Sequence, residues 1–472
     1  MNKMLANDLT HFSAIINQIT HEANAYLRQI NDAPTAIPVP TALETHTLLQ
    51  NGLGTEGALN VFKAKFAPLM VASTGPRYWG FVTGGTTPAA LAGDWLTTLY
   101  DQNCQSSAKM GDVSAVVEFE TIKILRGLLK LPDDFFGGFV TGATMSNFTC
   151  LAVARQWYGQ QLGIDIAEEG LSGLSDLKVL SAMPHSCVAK DLSMLGIGRK
   201  QLIKIKTLPN NREAMDCGDL EAHLKSLNGA PCIVTTSGGT VNTVDFDDMS
   251  ALAELKKKYN FWWHIDAAFG AFAVCSPKYA DLLRGWEKAD SISVDLHKWL
   301  NVPYDSAVVF IKETYLNLQR ETFQNANAAY LGDPKSDFNY LNFLPENSRR
   351  MRALPAWMTL MAYGRAGYQN IVERNVKNAQ KLGDLIKQSV DFQLLAPVRL
   401  NCVCFTLANK TPAEVNAFLS KLTERAKVYM TPTVYLGQSA IRAAFVNWRT
   451  ESSDVLLAFE EMKAILKAHT AS

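Results

Sequence analysis

The chain has no surplus of either charge: 45 Lys and Arg offset 45 Asp and Glu over 472 residues. That balance argues against the basic stripe of a nucleic-acid binder and against the cationic face that an anionic membrane attracts. Paired cysteines are also lacking. The eight Cys are scattered without a C-x-x-C, so neither a zinc ribbon nor a disulfide framework is written here, and no metal is expected. Cys402 and Cys404 alternate on an expected strand and share a face, which reads as core packing. The opening MNKMLANDLT carries an acid and amides where a signal peptide would have its apolar core. Residues 66–98 are poor in charge, but Arg77, Asp94, prolines and glycines interrupt them, so loops and short elements are expected there and not a membrane span. Repeats and low-complexity tracts are absent. With 47% hydrophobic and 19% charged residues, the expectation is a soluble cytoplasmic protein with reduced thiols and material for a core.

The length predicts two or three domains, or one large domain with appendages. The first 70 residues read as helices around a proline-containing connector, Ala33–Pro40. From about 138, apolar runs at Phe139, Leu177–Ala182, Leu202–Lys206, Cys232–Thr236 and Trp262–Ala267 alternate with amphipathic stretches. Strands alternating with helices imply right-handed crossovers and a mainly parallel sheet. After about 360, long helical stretches (370–389, 412–425, 453–469) bracket Phe392–Leu407 and Ala440–Asn447. The expected organisation is an N-terminal helical arm over 1–75, a large α/β domain over 76–360 and a smaller α+β domain over 361–472.

In an open α/β sheet, ligands sit beyond the carboxyl ends of the strands. Four stretches fall there. Gly142-Ala-Thr-Met-Ser-Asn147 is a small-residue turn opening a helix, suited to a phosphate or to ordinary N-capping. Met183-Pro-His-Ser-Cys187 places His185 between a strand and a helix, as a ligand-facing imidazole or a cap. In His264-Ile-Asp-Ala-Ala268 an Asp ends an apolar segment, where a carboxylate needs a partner or serves as a loop cap. In Ser293-Val-Asp-Leu-His-Lys-Trp299, Lys298 follows a core strand; a lysine there can lose its proton by desolvation and attack carbonyls. A phosphate cradle, an imidazole, an acid and an amine are the parts that a pyridoxal phosphate site needs.

His264-Ile-Asp-Ala-Ala and Asp295-Leu-His-Lys-Trp-Leu strongly resemble the group II pyridoxal phosphate-dependent decarboxylases, which act on aromatic amino acids, histidine, glutamate and diaminobutyrate. The resemblance runs from about residue 65 to the C-terminus. It includes Ser348-Arg-Arg-Met-Arg-Ala-Leu-Pro-Ala-Trp357 and the late Ile441-Arg442. It implies the type I, aspartate-aminotransferase-like fold, a homodimer, and pyridoxal 5'-phosphate as cofactor.

By that resemblance Lys298 forms the Schiff base, Asp266 faces the pyridine nitrogen and His185 stacks on the ring. Ala143, Thr144, Met145 and Ser146 lie in the phosphate loop, Met145 by backbone alone. Thr240 faces the cofactor, Asp295 and His297 lie beside its phosphate, and Thr83 and Arg442 are on the substrate side. Tyr330, in Ala328-Ala-Tyr-Leu331, resembles a mobile-loop tyrosine that reprotonates the decarboxylated carbon. Asp295 departs from the Asn common in relatives, and a carboxylate beside a phosphate repels it unless it is aimed away or paired. The implied reaction is decarboxylation of an L-amino acid to amine and CO2. Tyr78, Trp79, Phe81 and Tyr100 favour an aromatic substrate if they line the mouth. Another carbon–carbon lyase of the sphingosine-phosphate-lyase type, an aminotransferase and a catalytically inactive dimer are the alternatives. Gly52-Leu-Gly-Thr-Glu-Gly57 matches G-x-G-x-x-G but follows a helix-like Thr45–Gln50 and no strand, so it is set aside as chance.

Overall fold

A computed structural model describes residues 1–40, 47–105, 113–172, 174, 176–325 and 338–470. The strands are β1 (Phe135–Val140), β2 (Val179–Ser181), β3 (Leu202–Lys204), β4 (Cys232–Ser237), β5 (Phe261–Asp266), β6 (Ser291–Asp295), β7 (Ala307–Lys312), β8 (Phe392–Leu394), β9 (Cys402–Leu407), β10 (Thr431–Tyr435) and β11 (Gln438–Ala444).

The first seven form one sheet in the order β1-β7-β6-β5-β4-β2-β3. From β6 to β3 neighbours run parallel, and β7 is antiparallel to both β6 and β1. Helices cover both faces, so the strands read as nearly continuous apolar runs. Successive residues of Val308-Val309-Phe310-Ile311 join cores on opposite faces, as do Trp262 and Trp263. Alternation of side chains along a strand dictates this. The second sheet, β10-β11-β9-β8, is wholly antiparallel. It packs its own core, around Phe405, Val403 and Ile441, against the helices Pro412–Glu424 and Ser452–Thr470.

Several expectations needed correction. Residues 66–98 hold more than loops and short elements. Thr87 caps a helix, Pro88–Tyr100, that has Pro at its start, and its small residues Ala90, Gly93 and Thr97 are buried. The helix Ser114–Leu129, which packs on the same long helix from Ala353, carried no expectation. The helical stretch at 370–389 begins at Ala353, with Gly364 (φ 55°) breaking it. Residues 47–50 are not helical, and Gly52–Gly57 leads into the helix Gly54–Lys65, with no strand before it among the described residues. Cys402 and Cys404 are both buried on β9, as core residues.

Among the described residues no helix is long and apolar enough to cross a membrane, and no group of three or more His, Cys, Asp or Glu could hold a metal ion.

Candidate active site

Five chain turns at the ends of β1, β2, β4, β5 and β6 converge on one cavity. It is lined by Gly142, Ala143, Thr144, His185, Thr240, Asp266, Asp295, His297 and Lys298, among others. The crossover helix Ala143–Gln161 makes this possible. It leaves edge strand β1 and packs over β5, β6 and β7, so its N-terminus arrives beside the end of β6.

Asp295, the last residue of β6, is the electrostatic centre. Its Oδ1 accepts from the Ala143 N–H at 2.9 Å, and its Oδ2 lies 3.0 Å from Lys298 Nζ and 3.4 Å from His297 Nε2. The single helical turn Leu296–Trp299 brings Lys298 back over Asp295, three residues on. Burial alone would depress the lysine's pKa. Asp295 and then Asp266 outweigh it, so the ammonium is held above its ordinary range. Burial raises Asp295 in the same way, and Lys298 and His297 bring it below the ordinary carboxylate value. The deprotonation by desolvation expected from the sequence is therefore reversed by two carboxylates.

The lysine backbone is clamped as tightly. Gly84 lies so close that a Cβ there would sit 1.7 Å from the Lys298 carbonyl oxygen. Asn301, in a left-handed conformation (φ 58°), donates to the carbonyls of Gly84, Lys298 and Val446 at 2.8–3.1 Å.

Asp266 ends β5. Its Oδ1 accepts from the Ala268 N–H at 3.1 Å and its Oδ2 from Asn147 Nδ2 at 3.0 Å. His185 caps the helix Ser186–Met194, its Nδ1 accepting from the Cys187 N–H at 3.2 Å, and lines the cavity. Burial lowers its pKa despite the nearby Asp266.

The remaining expected residues divide. Ser146 donates to the Val308 carbonyl at 2.8 Å and is fully buried, so its hydroxyl is unavailable to a phosphate. The Met145 side chain packs into the core, leaving only its backbone toward the turn. Thr240 lines the cavity, but its hydroxyl donates to Glu213 at 2.6 Å. Glu213 also accepts from the Thr243 hydroxyl and Asn242, so it braces the whole turn after β4. Thr83 lines an adjoining hollow with Ser73, Thr86, His297 and Tyr304. Tyr304 lays its ring on His297, centroids 4.2 Å apart, and its hydroxyl is 3.4 Å from that of Thr83. Arg442, on β11, donates from Nη1 to the carbonyl of Val241, a lining residue, at 3.1 Å, and its Nε has no partner. Tyr330 lies outside the described residues.

Of the aromatic residues expected at the mouth, Trp79 is a core residue against Phe445. Tyr78 stacks on Tyr429, and Phe81 and Tyr100 are exposed. Sequence reasoning did not single out Asn147, Glu213, Asn301 or Tyr304. Of these only Tyr304 and Asn301 carried a signal, by closeness to Lys298.

The donor set fits pyridoxal phosphate. The Thr144 hydroxyl and the N–H groups of Thr144 and Met145 suit a phosphate; nothing lies nearer than 3.4 Å to where a Cβ on Gly142 would stand, so the cradle is open. An imidazole face, a carboxylate and an amine surround the remaining space.

Residues 56–408 match the family model described as the pyridoxal-dependent decarboxylase conserved domain. An aromatic-L-amino-acid decarboxylase of Bacillus atrophaeus is 27% identical over 435 residues, covering 89% of this chain and 87% of the relative. An aspartate 1-decarboxylase of Aliivibrio fischeri is 30% identical over 306 residues, covering 63% of this chain and 54% of the relative. The crystal structure of Oryza sativa TDC with PLP and tryptamine superposes with a TM-score of 0.88 at 21% identity, covering 98% of each chain. Mouse CSAD superposes at 0.87 and 20% identity, covering 97% of this chain and 99% of that one.

Proposed function

This chain belongs to the pyridoxal-dependent decarboxylase family and is a carboxy-lyase acting on an amino acid; from that premise we propose that its substrate is an aromatic L-amino acid and that Lys298, Asp266 and His185 carry the chemistry. The observation that supports the assignment most is the convergence of those three side chains on one cavity from three different strand ends. Bound pyridoxal phosphate supplies an aldehyde for the amino group and an electron-withdrawing ring for the electron pair left when CO2 departs.

The chain's own residues do the rest. Asp266 holds a proton at the pyridine nitrogen, because its two oxygens are already fixed by Ala268 and Asn147 and a carboxylate favours the cation beside it. His185 covers one ring face and excludes water. Thr144 and the N–H groups at the start of its helix bind phosphate, with Ala143 bonded to Asp295. Asp295, at 3.0 Å, holds Lys298 as the ammonium, so Lys298 gives up that proton before it can attack a carbonyl.

The aromatic preference draws on the Bacillus atrophaeus relative and on the hollow beyond His297. There Tyr304 offers an aromatic ring and Thr83 and Thr86 offer hydroxyls, with no lysine or arginine among the lining residues to pair with an acidic side chain. The Aliivibrio fischeri relative is named for aspartate, so an acidic substrate is the competing reading.

The reading includes a cytoplasmic homodimer. Leu5, Leu9, Phe12 and Ile16 leave apolar surface on the first two helices that a second copy would cover. Sedimentation should give twice the 52.0 kDa chain mass.

The deciding experiment is a panel of L-amino acids with amine, CO2 and keto acid measured together. Tryptophan or tyrosine should give the fastest release of CO2 with amine in equal amount. Faster turnover of aspartate or glutamate would overturn the aromatic assignment.

A further inference from the structure

Asn147, one turn into the helix Ala143–Gln161, is fully buried and touches three groups. Its Nδ2 lies 3.0 Å from Asp266 Oδ2 and 3.3 Å from Cys187 Sγ, and its Oδ1 lies 2.9 Å from His264 Nε2. The partners decide how the amide faces. An ionised carboxylate only accepts, so the NH2 is toward Asp266 and the oxygen toward His264. That oxygen also only accepts, so His264 carries its proton on Nε2. Its Nδ1 is then an acceptor and takes the Ser291 hydroxyl proton at 2.9 Å. Ser291 Oγ in turn accepts from Trp262 Nε1 at 2.9 Å.

Every donor meets an acceptor in one direction, from Trp262 through Ser291, His264 and Asn147 to Asp266. Aligned bonds of this kind polarise one another in a dry interior. Burial keeps the imidazole neutral by pulling its pKa down to about 4, as the alignment requires. The second amide hydrogen reaches Cys187, whose own N–H and thiol lie 3.2 Å and 2.9 Å from His185 Nδ1. One side chain thus contacts the proposed partner of the ring nitrogen directly and the proposed ring-stacking imidazole through a single thiol.

We infer that Asn147 is a positioning residue for the cofactor, holding the Asp266 carboxylate toward the ring nitrogen and, through Cys187, the His185 ring over its face, while His264 and Ser291 lock its amide in one orientation. This rests on the reading of Asp266 given above.

Two measurements test it. The first uses the cofactor-free parent chain with 15N-labelled histidine, the His264 signals being identified by their loss in His264→Gln. The Nε2–H tautomer is expected, and an Nδ1–H tautomer overturns the inference. The second titrates pyridoxal phosphate into cofactor-free parent, Asn147→Asp and Asp266→Asn chains, then follows turnover. Asn147→Asp sets an acceptor against an acceptor at Asp266 with no change of shape. It should bind the cofactor at least tenfold more weakly, and kcat should fall by more than KM changes. Parent-like cofactor affinity and kcat in Asn147→Asp overturn the inference, and if Asp266→Asn is impaired in that same series the Asp266 reading survives. Parent-like behaviour of Asp266→Asn overturns both. Should Asn147→Asp fail to fold, the tautomer of His264 in the parent decides alone.

Discussion

Asp191 shows what the core around this site sacrifices. It lies on the helix Ser186–Met194, fully buried, and neither carboxyl oxygen has a hydrogen-bond partner. Desolvation, reinforced by the charge of Asp266, pushes its pKa from 3.8 to about 8. At neutral pH the folded chain therefore holds a proton here that the unfolded chain has lost. A folded-state pKa that is raised means stability that is complete below the unfolded value of 3.8 and is lost as pH rises through about 8. At about 1.4 kcal/mol per unit, the cost is about 2 kcal/mol at pH 5, about 4 at pH 7 and about 6 above pH 8.

Asp191→Asn keeps the shape and abolishes the titration, but it buries an NH2 without an acceptor, costing roughly 1–3 kcal/mol. The variant should melt at or below the parent temperature near pH 4, cross it between about pH 4.5 and 6, and exceed it at pH 8–9 by roughly 3–5 kcal/mol of stability. Thermal unfolding of both cofactor-free chains from pH 4 to 9 reads the crossing. A difference between the two that stays flat across that range would refute the reasoning, because it would mean that Asp191 is ionised when folded.

Three further outcomes are expected. Lys298→Ala should abolish turnover and the borohydride-trapped cofactor adduct while the chain stays folded, and mass spectrometry of the reduced protein checks it. Arg349→Met breaks a wholly buried pair with Glu118, at 2.7 Å, and leaves the carboxylate uncompensated; denaturant unfolding should show a loss of about 3–5 kcal/mol. Tyr330→Phe should slow amine release and raise the fraction of oxidative side products, read from product ratios, and unchanged ratios would remove Tyr330 from the proton-donor role.

The site was legible where a chemistry-bearing residue follows an apolar strand. His185, Asp266 and Lys298 each interrupt or end a run that composition marks as core, so each demands a reason. Asn147 does not: it lies inside a helix whose buried residues include Ser146, Thr149 and Gln156 as well, and only the contact with Asp266 distinguishes it. Glu213 is likewise 27 residues from the Thr240 it braces, a spacing without a motif. The helix Pro88–Tyr100 was missed for a different reason. Its Ala, Gly and Thr positions fit closely against the helix that starts at Ala353, and Gly93 stands where a Cβ would come within 2.8 Å of Pro355. Small residues chosen for close approach have none of the apolar periodicity that marks a helix in sequence.

Asp295 is where reading the residues one at a time fails most instructively. Taken alone, a carboxylate next to a phosphate site is repulsive, and a lysine behind a core strand is a candidate to lose its charge. Together they cancel. The Leu296–Trp299 turn sets Lys298 Nζ at 3.0 Å and His297 Nε2 at 3.4 Å from the same Oδ2, and Ala143 donates to the other oxygen. Asp295 is therefore paired with one ammonium and placed beside the imidazole of His297 and the N–H of Ala143, so both of its oxygens are engaged. An Asn there would leave the ammonium without its nearest counter-charge, and burial would then act on it unopposed by Asp295. The residue that reads as a liability beside the expected phosphate site is the one that holds the Lys298 ammonium above its ordinary range, so the amine has to lose that proton before it can act as a nucleophile.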